Sequence, residues 1–288
     1  MNGVLHNLLH PFTFPFFARG LVVATLSGAL LGLIGVYITL KGMSYIGHGL
    51  SHAIYGGFAA STIVSFNYYV GAGIWGIASA LMINGVSRRR AIGADAAIGV
   101  ITTASFALGV ALLRMFGARG RSFDAALFGS ILGLSNTDVL AVLVVAVLAG
   151  ALVFLRYRAL LFTTFDPEVA DVSGVSVART DALLTAVLAL GILVTLNVIG
   201  VTLVAAILVT PPVIARMLTN SFTRMLWIST AVGAVCGFVG MNLSYHLDVP
   251  SGTMIVLTGA VVFALTFAVT GLRGLRRTAG LDDHVLAA

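Results

Sequence analysis

Long apolar runs separated by short polar segments dominate this 288-residue chain. A membrane-spanning helix needs about 20 predominantly apolar residues. Nine segments approach or reach that length: 17–40, 44–65, 68–86, 94–115, 137–155, 180–199, 201–218, 225–245 and 251–272. Only 9% of the residues are charged and 59% are hydrophobic, whereas soluble domains carry roughly a quarter charged residues. We therefore predict an all-α membrane protein of eight or nine transmembrane helices, forming a single domain over 1–288.

The positions of the basic residues predict how the spans are oriented. If spans alternate in direction, most of the 16 basic residues fall on one side, which the positive-inside rule makes cytoplasmic. Only Arg19, Arg114, Arg119 and Arg121 fall on the other side. The C-terminus is then inside, and the N-terminus is outside with nine spans or inside with eight. Because these charges set orientation, the net charge of +6 does not indicate nucleic-acid binding.

One cytoplasmic loop, at about 156–180, has the pattern of a short capped helix. Asp166 is a good N-cap, Pro167 suits the first helical position, Glu168 complements the helix dipole, and Gly174 suits the position after the helix. This predicts a two-turn helix at about 167–173, off the membrane. Its apolar residues are Val169, Ala170 and Val172. Such a helix suggests docking to a partner; the alternative is a loop that merely turns back.

Two pairs of ionisable residues lie within or beside the predicted spans. His48 and His52 occur in G-H-G-L-S-H-A-I-Y-G-G at 47–57, and on a helix they would share one face. His246 and Asp248 lie at the outer end of another span. A single histidine in such a place is more often a packing residue. Four such groups in a chain with few other ionisable residues favour a path for a first-row divalent cation, which imidazole and carboxylate ligands suit.

The sequence lacks the motifs of common enzymes. No G-x-x-x-x-G-K-[ST] loop is present, since the only lysine, Lys41, is followed by Gly42-Met43. Ser-His-Asp, H-E-x-x-H and C-x-x-C signatures are also absent. We therefore expect no catalytic activity and no permanently bound cofactor.

Three local patterns concern the shape and ends of helices. Pro211-Pro212 interrupts an apolar run, so we expect a kinked or broken helix there. Gly28-x-x-x-Gly32 in the first span is a helix-contact motif, although a common one. The segment at about 274–288 is expected to be a flexible C-terminal tail.

Taken in order, several motifs resemble one family of membrane proteins. They are G-x-x-L-S-H-A at 47–53, D-A-A-I-G at 95–99, L-F-G-S-I-L-G at 127–133, F-D-P-E at 165–168, L-V-T-P-P at 208–212 and S-Y-H-L-D-V-P-S-G at 244–252. In this order and spacing, over roughly 15–272, the chain resembles the permease subunit of metal-type ABC importers. Those importers take up manganese, zinc or iron with a solute-binding protein and a separate ATPase.

The resemblance implies functions for several residues. The 166–174 helix looks like the coupling helix that enters a cleft on the ATPase. His52 matches the family histidine, whereas His48 stands where the family usually has an aspartate, a change that leans away from manganese toward zinc or iron. His246 and Asp248 match the end of the family pattern, where a histidine is thought to face the metal path.

The resemblance also implies partners and a location. The expected partners are a cytoplasmic ATP-binding subunit, an extracellular solute-binding protein and a second permease copy. The expected location is the bacterial cytoplasmic membrane, where the protein would be multi-pass. The transported divalent metal (manganese, zinc or iron) would be cargo.

If the spans alternate in direction, two of the predicted pathway residues fall at opposite ends of the bundle. Alternation places His48 near the cytoplasmic end of its helix and His246 near the outer end. They could meet only if 47–49 formed a broken or re-entrant stretch buried in protein; otherwise they are two stations on one route. We favour a shared central pathway without a single four-ligand site.

Two rival functions stay open on the sequence alone. The first is a permease of the same architecture for an iron chelate or a cobalamin-like solute. The second is a metal channel or secondary transporter that needs no ATPase.

Overall fold

The structure, a computed structural model of the chain, describes residues 10–64, 66–87, 93–116, 128–130 and 134–285 and, within them, all side chains other than those of 94, 113 and 272–285. Every regular element in these ranges is helical. A 3₁₀ turn at His10–Thr13 precedes the helices. These are α1 (Pro15–Leu40), α2 (Ile46–Ile63), α3 (Tyr68–Ser87), α4 (Ala94–Phe116), α5 (Asn136–Leu155), α6 (Tyr157–Phe165), α7 (Pro167–Val172), α8 (Val177–Ile199), α9 (Val204–Leu218), α10 (Phe222–Leu247) and α11 (Ser251–Val285).

The predicted spans correspond to helices α1–α5 and α8–α11. In the described part of the chain, seven helices are long and apolar enough to cross a membrane. The two that fall outside this group, α2 and α9, have 18 and 15 residues. The prediction of an all-α membrane protein is therefore confirmed. Helix α11 continues to Val285, through most of the segment assigned to a tail, whose flexibility stays a prediction.

Local sequence explains where several helices begin and end. Ser135 caps α5 in a reciprocal capping box with Asp138, the S-x-x-D arrangement that satisfies two free N–H groups. The Ser176 hydroxyl accepts a hydrogen bond from the Arg179 N–H at the start of α8. Helix α8 ends at Gly200, whose φ of 87° is a conformation that glycine adopts without strain.

Helix α1 packs most extensively against α10, and small residues make this contact possible. A Cβ on Gly28 would lie 2.0 Å from the carbonyl oxygen of Gly233, so only glycine fits. One turn further along α1, the Ser229 hydroxyl donates a hydrogen bond to the Gly32 carbonyl at 2.6 Å. Close backbone approach and interhelical hydrogen bonds are what hold helices together in lipid. The Gly28-x-x-x-Gly32 motif is therefore confirmed as a helix contact.

The bundle has one strongly basic end. Helices α1 and α10 are antiparallel, because Tyr37 packs on Phe222 and Phe17 packs on Tyr245. We call the end with Tyr37 and Phe222 the basic end. The basic residues there are Lys41, Arg156, Arg158, Arg179, Arg216 and Arg224. Helix α1 begins at the opposite end, as a nine-span topology requires. The arginine clusters at 88–90 and 273–277 lie outside the described side chains.

Helix α9 is not broken at Pro211-Pro212, which rules out one of the two outcomes expected there, while a kink stays a prediction. The helix runs unbroken from Val204 to Leu218 with both prolines inside it and buried. Proline has no N–H, so the carbonyl of Leu208 loses its helical donor. That carbonyl faces α1, where a Cβ on Gly35 would lie 2.0 Å from its oxygen. Tight packing of a neighbouring helix accommodates the freed carbonyl, and the helix therefore continues.

Candidate functional site

His48 and His52 lie one turn apart in the first half of α2, on the same face. Their ring centroids are 4.6 Å apart in an edge-to-face arrangement. Both side chains are half-buried. The shared helix face predicted from the four-residue spacing is therefore confirmed.

The described residues leave the nitrogens of this histidine pair without a hydrogen-bond partner. Neither imidazole forms a hydrogen bond to the described residues, and Nδ1 of His52 is buried without a partner among them. The neighbours are aromatic: Phe106 of α4 lies 4.8 Å from His52, and Tyr45 lies 5.6 Å from His48, between ring centroids. A buried polar atom without a partner is costly. A passing metal ion would supply the missing partner, since neutral imidazole is a metal ligand.

His246 and Asp248 lie far along the bundle from the histidine pair. They end α10 at the end opposite the basic one, beside Tyr245, and both are exposed. Asp248 has a φ of 53°, a left-handed conformation that aspartate tolerates at a helix end. The Ser244 hydroxyl donates to the Val249 carbonyl at 2.6 Å and closes the turn. Asp248 therefore has a clear structural function in ending the helix.

The structure does not bring the four predicted pathway residues together. Helix α2 begins shortly after α1 ends at Leu40, so His48 lies towards the basic end, and α2 is unbroken across 47–49. Among the described residues, no group of three or more histidine, cysteine, aspartate or glutamate side chains could hold a metal ion. The two pairs occupy separate places, so the re-entrant stretch required for a common site is not formed.

A buried carboxylate network near the opposite end was missed from the sequence. The Asp138 carboxylate accepts hydrogen bonds from the Asn197 side chain at 2.7 Å, the Ser135 N–H at 2.8 Å and the Tyr69 hydroxyl. Because Tyr69, Asp138 and Asn197 belong to α3, α5 and α8, this network joins three helices. The capping pattern Ser135-x-x-Asp138 could have been found from sequence, but the other two partners could not.

The segment predicted to be a capped helix has the expected local structure. The Asp166 carboxylate accepts a hydrogen bond from the Val169 N–H at 3.0 Å, and Pro167 and Glu168 lie in the first turn of α7. Gly174, with a φ of 80°, follows the helix. The predicted helix at 167–173 is therefore confirmed to within one residue. Helix α6, immediately before it, was not predicted.

Helix α7 has one buried apolar residue and two exposed ones. Ala170 is fully buried, whereas the Val169 and Val172 side chains are 47% and 89% exposed. The helix packs against α6 and the start of α8. Exposed valines on a short helix at the basic end are an apolar surface available to a partner.

The only lysine links this segment to the rest of the bundle. The Nζ atom of Lys41 donates to the Thr163 carbonyl of α6 at 2.6 Å and lies 2.9 Å from the Asp181 carboxylate of α8. The two charged side chains are 10% and 22% exposed. The sequence alone gives Lys41 no specific structural function. Its partners are distant in the chain, and no local signal identifies them.

Comparison with known proteins points in the same direction as this geometry. The sequence profile described as the ABC 3 transport family matches residues 13–270. The manganese transport system membrane protein MntC of Halalkalibacterium halodurans is 35% identical over 265 residues, covering 91% of this chain and 90% of that protein. The chelated iron transport system membrane protein YfeC of Yersinia pestis is 32% identical, covering 96% and 93%. A solved chain of PsaBC from Streptococcus pneumoniae in complex with Fab superposes with a TM-score of 0.81 at 31% identity, covering 93% and 95%.

Proposed function

The chain belongs to the ABC 3 transport family, and on that premise we propose that it is the permease subunit of an ATP-driven importer for a divalent transition metal ion. The observation that supports this proposal is the family match over 13–270, together with relatives that are named as manganese and iron transport proteins. Those names favour manganese or iron as cargo. Zinc stays a candidate because His48 offers nitrogen where the family usually has an aspartate oxygen.

We propose that the metal passes two separate stations. His246 and Asp248 are exposed at the end opposite the basic one, where a cation could first be received. His48 and His52 form the second station, with imidazole nitrogens that bond to no described residue. Neither pair alone supplies the three or four protein ligands of a tight site. Weak binding at successive points suits transport, because the ion must leave each station.

The coupling to ATP hydrolysis would run through α7. Its exposed valines offer an apolar docking surface at the basic end, which the positive-inside rule makes cytoplasmic. A displacement of α7 would move α6, which packs against it. Lys41 holds the Thr163 carbonyl of α6 and lies just ahead of α2, the helix that bears His48 and His52. These contacts support a physical connection from the proposed docking surface to the histidine pair.

The proposed assembly has three kinds of protein, one of which is this chain in two copies. A separate cytoplasmic subunit would supply ATP hydrolysis at α7. A solute-binding protein would deliver the metal at the opposite end, and a second copy of this chain would complete the path. The bacterial cytoplasmic membrane is the proposed location. The name of the Yersinia pestis relative keeps a chelated form of iron among the cargoes to be tested.

The decisive experiment is uptake into vesicles that contain the permease with its ATPase and solute-binding protein. Labelled manganese, zinc and iron, and an iron chelate, are supplied in separate arms, with and without ATP. We expect ATP-dependent uptake of at least one bare metal ion. Replacing His48 and His52 together by alanine should abolish that uptake, whereas His10→Ala, in the 3₁₀ turn outside the bundle, should not.

Each contrary outcome either supports a rival function or refutes part of the proposal. Uptake that continues without ATP would support the ATPase-independent channel or transporter. Uptake of the chelate alone would support the chelate permease. Unchanged metal uptake in the double histidine variant would refute the proposed second station.

A further inference from the structure

An apolar groove of about 870 Å³ opens on the side of the bundle at the basic end. Helices α1, α5, α6 and α10 form its walls. The residues that line it include Leu33, Val153, Phe154, Leu155, Leu226 and Trp227. Trp227 and Phe154 are 74% and 83% exposed. The groove is within the size range of sites that hold an organic ligand.

Positive charge is concentrated where this groove reaches the basic end. Arg156 and Arg158 both line the groove and both are exposed. Neither side chain forms a hydrogen bond or ion pair with the described residues. No acidic residue is among those that line the groove. The two guanidinium groups are therefore uncompensated by the described residues and available to an anion.

The junction of α5 and α6 lies at the same place. Helix α5 ends at Leu155 and α6 begins at Tyr157, between the two arginines. The negative end of one helix dipole therefore opposes the positive end of the other, so the positive charge here comes from the arginine side chains. Aromatic side chains at the same level, Tyr157 and Trp227, are the residue types enriched where a membrane protein meets the lipid–water interface.

We propose that this groove binds an anionic phospholipid of the cytoplasmic leaflet. An acyl chain would lie along the apolar walls beside Trp227, and the phosphate would meet Arg156 and Arg158. Basic pockets between transmembrane helices on the cytoplasmic side are suited to anionic headgroups. Each arginine near an anionic lipid favours it about fivefold, so the pair would enrich anionic over zwitterionic lipid by roughly tenfold or more.

The position of the groove favours lipid over a second copy of the chain. The histidine pair lies on α2, which packs against α3, α4, α8 and α9. The groove is formed by a different set of helices, α1, α5, α6 and α10. A partner copy that shared the histidine path would approach from the α2 side. Two uncompensated arginines also repel their own copies in a symmetric contact, whereas they attract a phosphate.

Fluorescence quenching of Trp227 tests the proposal directly. The chain has two tryptophans, so Trp75→Phe leaves Trp227 as the only one. The full-length chain is reconstituted in vesicles of equal parts phosphatidylglycerol and phosphatidylcholine, with brominated acyl chains on one lipid or the other. If Trp75→Phe fails to fold, the Trp227 signal is obtained by subtracting the fluorescence of Trp227→Phe from that of the parent protein. We expect markedly stronger quenching when the bromines are on phosphatidylglycerol.

Paired arginine variants identify the source of that preference. Arg156→Gln with Arg158→Gln should make the two brominated lipids quench equally. The matched control, Arg179→Gln with Arg216→Gln, removes the same charge from the basic end away from the groove and should keep the difference. Equal quenching by the two brominated lipids in the parent protein would overturn the proposal. So would a preference for phosphatidylglycerol that survives in the Arg156/Arg158 variant, or one that is lost in the Arg179/Arg216 control. Absence of quenching by either lipid would show that protein covers the groove.

Discussion

Replacing Lys41 by methionine should weaken the contact between the α6–α7 segment and the membrane helices. Methionine keeps most of the length of the lysine side chain but removes its charge. The variant loses the 2.9 Å ion pair with Asp181 and the 2.6 Å hydrogen bond to the Thr163 carbonyl. Truncating one partner of a fully buried pair costs about 3–5 kcal/mol. Because the Asp181 side chain is still 22% exposed to water, we expect a smaller loss of about 2–3 kcal/mol.

A double-mutant cycle measures how much of that loss belongs to the ion pair. Lys41→Met, Asp181→Asn and the double variant are unfolded reversibly in mixed micelles, with helical circular dichroism as the signal. We expect the two substitutions to be coupled by at least ~1 kcal/mol, since the residues are in direct contact. Arg179→Met, which removes an exposed charge at the same end, should change stability by no more than about 0.5 kcal/mol.

The same variant should also uncouple transport from ATP hydrolysis. With the ATPase present, Lys41→Met should lower metal uptake per ATP hydrolysed, because α6 is no longer held to the end of α1. Additive stability changes, with a coupling below about 0.3 kcal/mol, would refute the energetic reasoning. Normal uptake per ATP in a folded Lys41→Met variant would refute the proposed connection from α7 to the histidine pair.

Three further changes test other parts of the proposal. Val172→Asp should reduce ATP-driven uptake about tenfold or more without unfolding the chain, because a charge would be buried at the docking surface; Asn220→Asp, at the same end, should not. Asp138→Ala should destabilise the chain by about 3 kcal/mol, since a buried carboxylate that accepts four hydrogen bonds is removed, and an unchanged unfolding midpoint would contradict this. His48→Asp should shift uptake toward manganese over zinc by roughly tenfold, or ~1.4 kcal/mol; an unchanged ratio in competitive uptake would show that His48 does not select the metal.

The features predicted well from the sequence depend on nearby residues. The apolar runs correctly predicted helices at all nine candidate spans, because each span must satisfy its own backbone hydrogen bonds in lipid. Asp166, Pro167 and Gly174 gave α7 because N-caps, N1 prolines and terminal glycines act within a few residues. The same holds for His48 and His52, whose common face follows from helical spacing alone.

The helix break allowed for at Pro211-Pro212 does not form, because a neighbouring helix decides the outcome, and the kink stays a prediction. Proline removes a backbone donor wherever it stands, and this much was correct. Whether the helix then breaks depends on what meets the freed carbonyl. At Leu208 the neighbour is Gly35, 173 positions earlier in the chain, and nothing in the local sequence identifies that contact.

The arrangement of the helices is specified by very few polar residues, and this explains why the functional connections were not predicted. In lipid, apolar side chains gain little by leaving the solvent for a neighbouring helix, so packing of small residues and interhelical hydrogen bonds determine which helices meet. Lys41 with Asp181, and Asp138 with Asn197, are such contacts between distant segments. Because one lies at the basic end and the other near the opposite end, each end of the bundle is held by its own polar link. A substitution at either link should therefore disturb the arrangement of helices at that end while leaving the individual helices intact.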